Sequence, residues 1–134
     1  MSLSIDHVVI TVKNLNKTID FYTRTLEMNI EKNFIKTDDS MRYSLHFGNQ
    51  KINIHDINNK FKPHARSSKP GSLDICFLTK KNISYWIKKF RKNNIEIIEG
   101  PIERLGAVNK LISIYCYDPD GNLIEISNVV DDND

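Results

Sequence analysis

Three side chains of this chain carry the chemical question: His7, Asp74 and Glu125. Each stands in a run of aliphatic or β-branched residues, where a charge is costly unless something there requires it. His7 precedes Val8-Val9-Ile10, Asp74 precedes Ile75-Cys76-Phe77, and Glu125 lies between Ile124 and Ile126. Taken singly, His7 reads as a hydrogen-bonded core imidazole, and Glu125 reads equally well as a solvated strand carboxylate. Taken together, an imidazole and two carboxylates on neighbouring central strands supply the donors of a divalent-metal site.

Further polar residues fall around this set. Strand alternation pairs Ile52 and Ile54 with Ile124 and Ile126, which sets Asn53 in the position of Glu125 and His55 in that of Ser127. Both Asn53 and His55 are expected to face a common cavity, where His55 suits either a general base, a fourth ligand or a plain hydrogen-bonding residue. Tyr43, Tyr115 and Tyr117 suit substrate orientation or packing with a satisfied hydroxyl. Arg104, in the segment Glu103-Arg104-Leu105-Gly106, is expected on a loop, free to clamp a substrate carboxylate or phosphate or simply solvated. His46 and His64 read as structural or surface residues. The run Lys88, Lys89, Arg91 and Lys92 reads as the solvated face of a helix.

The elements that must position these residues repeat. Ser4 to Val12 is rich in β-branched residues and predicts a strand. Asn14 suits a helix N-cap, and Leu15, Ile19, Tyr22 and Leu26 recur at helical spacing. Strands are expected over 28–35, 42–47 and 51–56, with turns at Asp38-Asp39-Ser40 and Gly48-Asn49-Gln50. Residues 58–70, with two prolines and little apolar content, read as a linker. The same order then returns: a strand over 71–79, a helix capped by Asn82 with Trp86 and Phe90 inward, and strands over 95–98, 110–117 and 123–129. A loop is expected from Gly100-Pro101 to about Asn109, a turn at Asp118-Pro119-Asp120-Gly121, and a frayed acidic end over 131–134. His7 and Asp74 fall at equivalent points, half the chain apart. The expected fold is α+β: two tandem βαβββ modules, about 3–57 and 71–129, forming one domain that curls as an incomplete barrel around one cavity. The opening strand of each module is expected to be buried on both faces.

Composition excludes several classes. The 134 residues carry a formal net charge of only +2, which gives no electrostatic case for nucleic acid. No apolar run approaches the length of a membrane span, and the N-terminus lacks the pattern of a signal peptide. Cys76 and Cys116 sit in apolar runs without a CxxC spacing, and read as buried thiols in a reducing, cytoplasmic protein.

Two motifs make a family resemblance specific. The opening Ile-Asp-His-Val-Val-Ile-Thr-Val with Thr18-Ile19-Asp20-Phe21-Tyr22-Thr23 and Leu26-Glu27-Met28 resembles the first module of the vicinal oxygen chelate superfamily. Asp118-Pro119-Asp120-Gly121-Asn122-Leu123-Ile124-Glu125 resembles the end of its second module. That superfamily includes glyoxalase I, bleomycin and fosfomycin resistance proteins and extradiol dioxygenases, and the chain is most similar to its small glyoxalase-domain, virulence-protein-like members. The resemblance implies one divalent ion (Mn, Fe, Mg, Ni or Zn) held by His7, Asp74 and Glu125, with Asn53 at an optional fourth place, and a homodimer. Aspartate at position 74 and asparagine at 53 depart from the commoner histidine and carboxylate. The oxygen-rich set favours Mn²⁺, Fe²⁺ or Mg²⁺ over a nitrogen-rich zinc site. The implied activity is a glyoxalase I-like isomerisation or lyase reaction on a small substrate with vicinal oxygens, in which the metal acts as a Lewis acid beside a base, His55 or a ligand carboxylate such as Glu125. No arginine occurs in Ile10-Thr11-Val12, where bacterial glyoxalase I has one that helps hold glutathione. The alternatives are an Fe(II) ring-cleaving dioxygenase and a metal-free protein that binds or sequesters a small molecule.

Overall fold

The computed structural model describes residues 2–131. It divides between Ser72 and Leu73 into two compact units, each built on one four-stranded mixed sheet. The first unit runs β1 (His7–Val12), α1 (Leu15–Asp20), β2 (Asn29–Ile35), β3 (Ser40–Phe47) and β4 (Gln50–Asp56). The second runs β5 (Asp74–Leu78), α2 (Ile83–Lys92), β6 (Glu99–Leu105), β7 (Lys110–Tyr117) and β8 (Leu123–Val129). The strand orders, β1-β4-β3-β2 and β5-β8-β7-β6, are the same topology written twice. In each sheet the opening strand pairs parallel to the last, and the other pairs are antiparallel. This is the expected βαβββ order in both halves.

Local chemistry accounts for the helices. Asn14 caps α1 by accepting from the Lys17 amide at 3.0 Å, and Asn82 caps α2 by accepting from the Ser84 amide at 2.9 Å. The first helix does not continue as one regular element to Leu26. A wider π-helical turn, Phe21–Thr25, follows it, and the adjacent rings of Phe21 and Tyr22 are both buried, meeting edge-on at 5.0 Å. In the second unit, Trp86 and Phe90 are buried, as are Ile114, Cys116, Ile124 and Ile126 on the facing side of the sheet. The first unit buries Ile10, Val12, Leu45, Ile52 and Ile54 in the same way. The opposite, helix-free face of each sheet carries the polar residues.

The turn before β8 is built on a buried carboxylate. Asp118 accepts from the backbone amides of Asp120 and Asn122 and from the Asn122 side chain, at 2.7–2.9 Å. Asn122 in turn accepts from the Leu73 amide at 2.9 Å, fixing the start of β5. Gly121 sits at φ +85°, which an L side chain rarely adopts.

Three expectations are corrected. Strands β1 and β5 are sheet edges, with Val9 46% and Leu78 64% exposed, so within each unit they are not buried on both faces. Their continuous apolar runs imitate a central parallel strand. Residues 95–98 are not a strand; the strand lies at Glu99–Leu105, where a loop is expected from Gly100-Pro101. An edge strand tolerates a proline, and the pairing with β7 shifts register between Glu99 and Ile102 to absorb the Gly-Pro pair. Cys116 is fully buried, but Cys76 is exposed on the helix-free face. The expected acidic tail lies, beyond Asp131, outside the described residues.

Candidate functional site

Register carries the equivalence of the two halves down to single positions. His7 pairs with Lys51 two residues before Val9 meets Asn53, and Asp74 pairs with Leu123 two residues before Cys76 meets Glu125. His7 and Asp74 therefore occupy the same place in their sheets, as do Asn53 and Glu125, and His55 and Ser127.

In the second module, Cys76, Glu125 and Tyr115 lie side by side across three strands. Glu125 is fixed by hydroxyls: its Oε2 accepts from Ser113 at 2.7 Å and from Ser127 at 3.3 Å. Ser113 and Ser127 are both fully buried and 2.6 Å apart, and the Cys76 thiol lies 3.2 Å from Ser127 Oγ. Burial pushes the Cys76 thiol up, its bond with Ser127 partly opposing. Asp74 is exposed, and its carboxylate makes no hydrogen bond or ion pair among the described residues. Arg104 is a strand residue rather than a loop residue. Its Nε donates to the Tyr115 hydroxyl at 2.9 Å and its Nη2 to Glu99 at 3.1 Å. Burial raises the Tyr115 phenol, and the Arg104 bond partly offsets this.

In the first module, His7 is exposed, and its Nδ1 lies 2.8 Å from Asp6 Oδ2. A carboxylate only accepts, so Nδ1 is the donor in that bond and Nε2 is the ring nitrogen left to meet a ligand, as with the carboxylate partner of a metal-bound histidine. Asn53 and His55 border a cavity of about 220 Å³ that Arg42, Ser44, Lys51 and Phe61 also line. His55 Nδ1 and Arg42 Nε are buried there with no hydrogen-bond partner. Such a donor costs about 1–3 kcal/mol unless something meets it. Desolvation, then the charges of Arg42, His64 and Lys60, lower the His55 pKa, so its neutral form is favoured near pH 7. Tyr43 borders the same cavity, but it is the register partner of the buried Ile54. Its ring belongs to the other face of the sheet, with Lys32 Nζ 5.9 Å from its centre. His46 is engaged on the helix-free face, 2.9 Å from both Ser44 Oγ and Glu31 Oε2.

Phe61 is the residue that sequence reading passes over. It belongs to the connecting segment, yet the Arg42 guanidinium stands 4.2 Å from its ring centre and the His55 imidazole meets it edge-on at 5.4 Å. Its being the one Phe, Tyr or Trp in an otherwise polar linker is the signal that was available. Among the described residues, no three His, Cys, Asp or Glu side chains form a group that could hold a metal ion.

The family model of the Glyoxalase/Bleomycin resistance protein/Dioxygenase superfamily matches residues 4–126. The chain belongs to this superfamily. It is 44% identical over 128 residues to the Glyoxalase domain-containing protein RDO1 of Mycosarcoma maydis, covering 96% of this chain and 69% of that one. It is also 44% identical to Virulence protein STM3117 of Salmonella typhimurium, covering 94% and 84%. The crystal structure of that virulence protein matches with a TM-score of 0.87 over 97% of this chain and 99% of that one. An integron cassette protein from V. cholerae matches with a TM-score of 0.88 at 40% identity, over 96% and 97%. The duplicated βαβββ order is that of the glyoxalase-superfamily fold. No helix among the described residues is long and apolar enough to cross a membrane.

Proposed function

We propose that the protein is a divalent-metal-dependent enzyme of the glyoxalase type, an isomerase or lyase acting on a small substrate with two adjacent oxygens. His7, Asp74 and Glu125 are the proposed ligands, with Asn53 or His55 in a fourth place. One observation carries the reading: His7 and Asp74 stand at the same register position of two equivalent sheets, and Glu125 is oriented by two buried serines. The donor chemistry fits an ion. His7 has its proton held on Nδ1 by Asp6, Asp74 has no bond that competes for its carboxylate, and the set mixes one nitrogen with carboxylate oxygens. The ligands come from both modules, and the reading holds whether the modules pair within one chain or are exchanged between two copies of a cytoplasmic homodimer.

A bound ion supplies Lewis-acid stabilisation of an enolate or oxyanion next to it. The chain's own residues do the rest. His55, favoured in its neutral form, accepts a substrate proton. Asn53 and Tyr115 orient the substrate, and Arg104 holds the Tyr115 hydroxyl in place while Glu99 holds Arg104.

The test is metal content after purification without added metal or chelator, for wild type, His7→Ala and Glu125→Gln. About one divalent ion per site, lost in both variants, supports the assignment. Unchanged metal affinity in Glu125→Gln removes Glu125 from the ligand set. Protein that takes up no metal at all makes the metal-free binding reading the better one. Dioxygen uptake with Fe²⁺ in place would instead identify a dioxygenase.

A further inference from the structure

We propose that the cavity on the helix-free face of the first module binds the terminal oxyanion, carboxylate or phosphate, of a small organic ligand, with Arg42 and His55 as its donors. The proposal rests on the reading above in taking that face as a small-molecule site, with Asn53 and not His55 in the fourth ligand place; it uses none of His7, Asp74 and Glu125.

Charge, unmet hydrogen bonds and shape agree on an anion. The charged side chains lining the cavity are Arg42 and Lys51, with no carboxylate among them. Arg42 commits Nη2 to Asp38 at 2.7 Å. Its Nε, a donor under all ordinary conditions, is left buried without an acceptor. His55 Nδ1 is in the same position, and in the neutral ring it can carry the proton and donate. With Nδ1 donating, Nε2 remains the basic nitrogen, so this role does not compete with proton transfer.

Phe61 makes the pair a built feature rather than two loose side chains. The guanidinium lies over its face and the imidazole stands perpendicular to it, so both are held against one ring. A guanidinium held on both sides, by a ring and by a carboxylate, presents a fixed planar edge suited to an oxyanion. At about 220 Å³ the cavity is smaller than the usual ~300–1,000 Å³ of drug-sized sites, which favours a small ligand.

The test titrates the chelator-treated full chain with benzoate and with phenyl phosphate, following the Arg42 Nε–H and His55 ring signals by NMR. The expected result is a saturable shift of both signals with at least one probe. Saturation by benzoate alone assigns a carboxylate ligand, by phenyl phosphate alone a phosphate ester, and by both a general oxyanion site. Arg42→Lys keeps the charge and removes the Nε donor, and is expected to weaken binding about 10-fold or more. Phe61→Leu, in the connecting segment, leaves the sheet intact and is expected to weaken it as well. No shift with either probe, or wild-type affinity in Arg42→Lys, overturns the proposal. Since no metal is present in this assay, the outcome is separate from any loss of metal in His7→Ala.

Discussion

Ser113 donates its hydroxyl hydrogen to Glu125 Oε2 at 2.7 Å, a diagonal bond between neighbouring strands β7 and β8. Ser113 is fully buried, and Glu125 is half-buried against it. Ser113→Ala is expected to destabilise the protein by about 1.5–3 kcal/mol, the range for a hydrogen bond to a charged group. Ser127 remains within 3.3 Å of the same oxygen, which keeps the loss below that of an isolated buried carboxylate. Urea unfolding of wild type and variant measures it. A difference under about 0.5 kcal/mol, the size of an ordinary surface change, would sink the claim that this pair orients Glu125.

The neighbourhood of Glu125 shows how far sequence alone reaches. Alternation of Ile124 and Ile126 puts Glu125 on the helix-free face, and the same alternation puts Asn53 there, because side-chain direction in a strand is a local property. The hydroxyl shell was not legible, since Ser113 and Ser127 meet only through the pairing of β7 with β8. Position within the sheet was misread for the same reason. The aliphatic runs after His7 and Asp74 look like central strands, while edge or centre is decided by which strands pair. Gly100-Pro101 is a loop signal that an edge strand absorbs by a register shift, and this moved Arg104 from a presumed loop to a strand bonded to Tyr115. Tyr43 fell on the opposite face because one residue of register separates it from Ser44, the partner of Asn53.

Asp6 and His7 give a test of the metal reading that spares the ligands themselves. Asp6 is 83% exposed and its bond is to His7 Nδ1, so its removal changes little besides the orientation and tautomer of that ring. Asp6→Asn is expected to leave the thermal midpoint nearly unchanged and to weaken divalent-metal affinity by about 10-fold, the low end for a partner of a metal-bound histidine. Metal titration of both proteins decides it. Identical affinities would mean that the Asp6–His7 bond has no part in metal binding.

Two glycines that both have positive φ separate strain from crowding. Gly100 has φ +102° and Gly121 has φ +85°. A Cβ at Gly121 meets nothing within 4 Å, whereas at Gly100 it would stand 2.3 Å from the Ser113 carbonyl oxygen. Gly121→Ala is expected to cost only the left-handed backbone penalty, about 1–2 kcal/mol. Gly100→Ala adds a clash with the backbone of β7, and is expected to exceed about 4 kcal/mol. Equal costs in chemical denaturation would contradict the close packing of β6 on β7. The same variant would also disturb Ser113, and through it Glu125.

Cys116 makes a pH dependence with a defined sign. Burial, with the nearby Asp118 charge, pushes its thiol up to about 12 from an ordinary 9.0. Between these values the unfolded chain has released a proton that the folded chain retains. Stability therefore falls as pH rises above about 9, by up to ~1.4 kcal/mol per pH unit, while below about pH 8 the group contributes no slope. Unfolding free energies at pH 8, 9 and 10 are to be compared for wild type and Cys116→Ala. The variant is expected to be less stable at pH 8, having lost packing in a fully buried site, but to lose less stability as pH rises. Tyrosine and Cys76 titrations are common to both proteins and cancel in the difference. Parallel slopes would show that the Cys116 thiol is not held protonated by burial. Alkylation of the native protein at pH 8 gives an independent reading, since exposed Cys76 is expected to be modified and Cys116 protected.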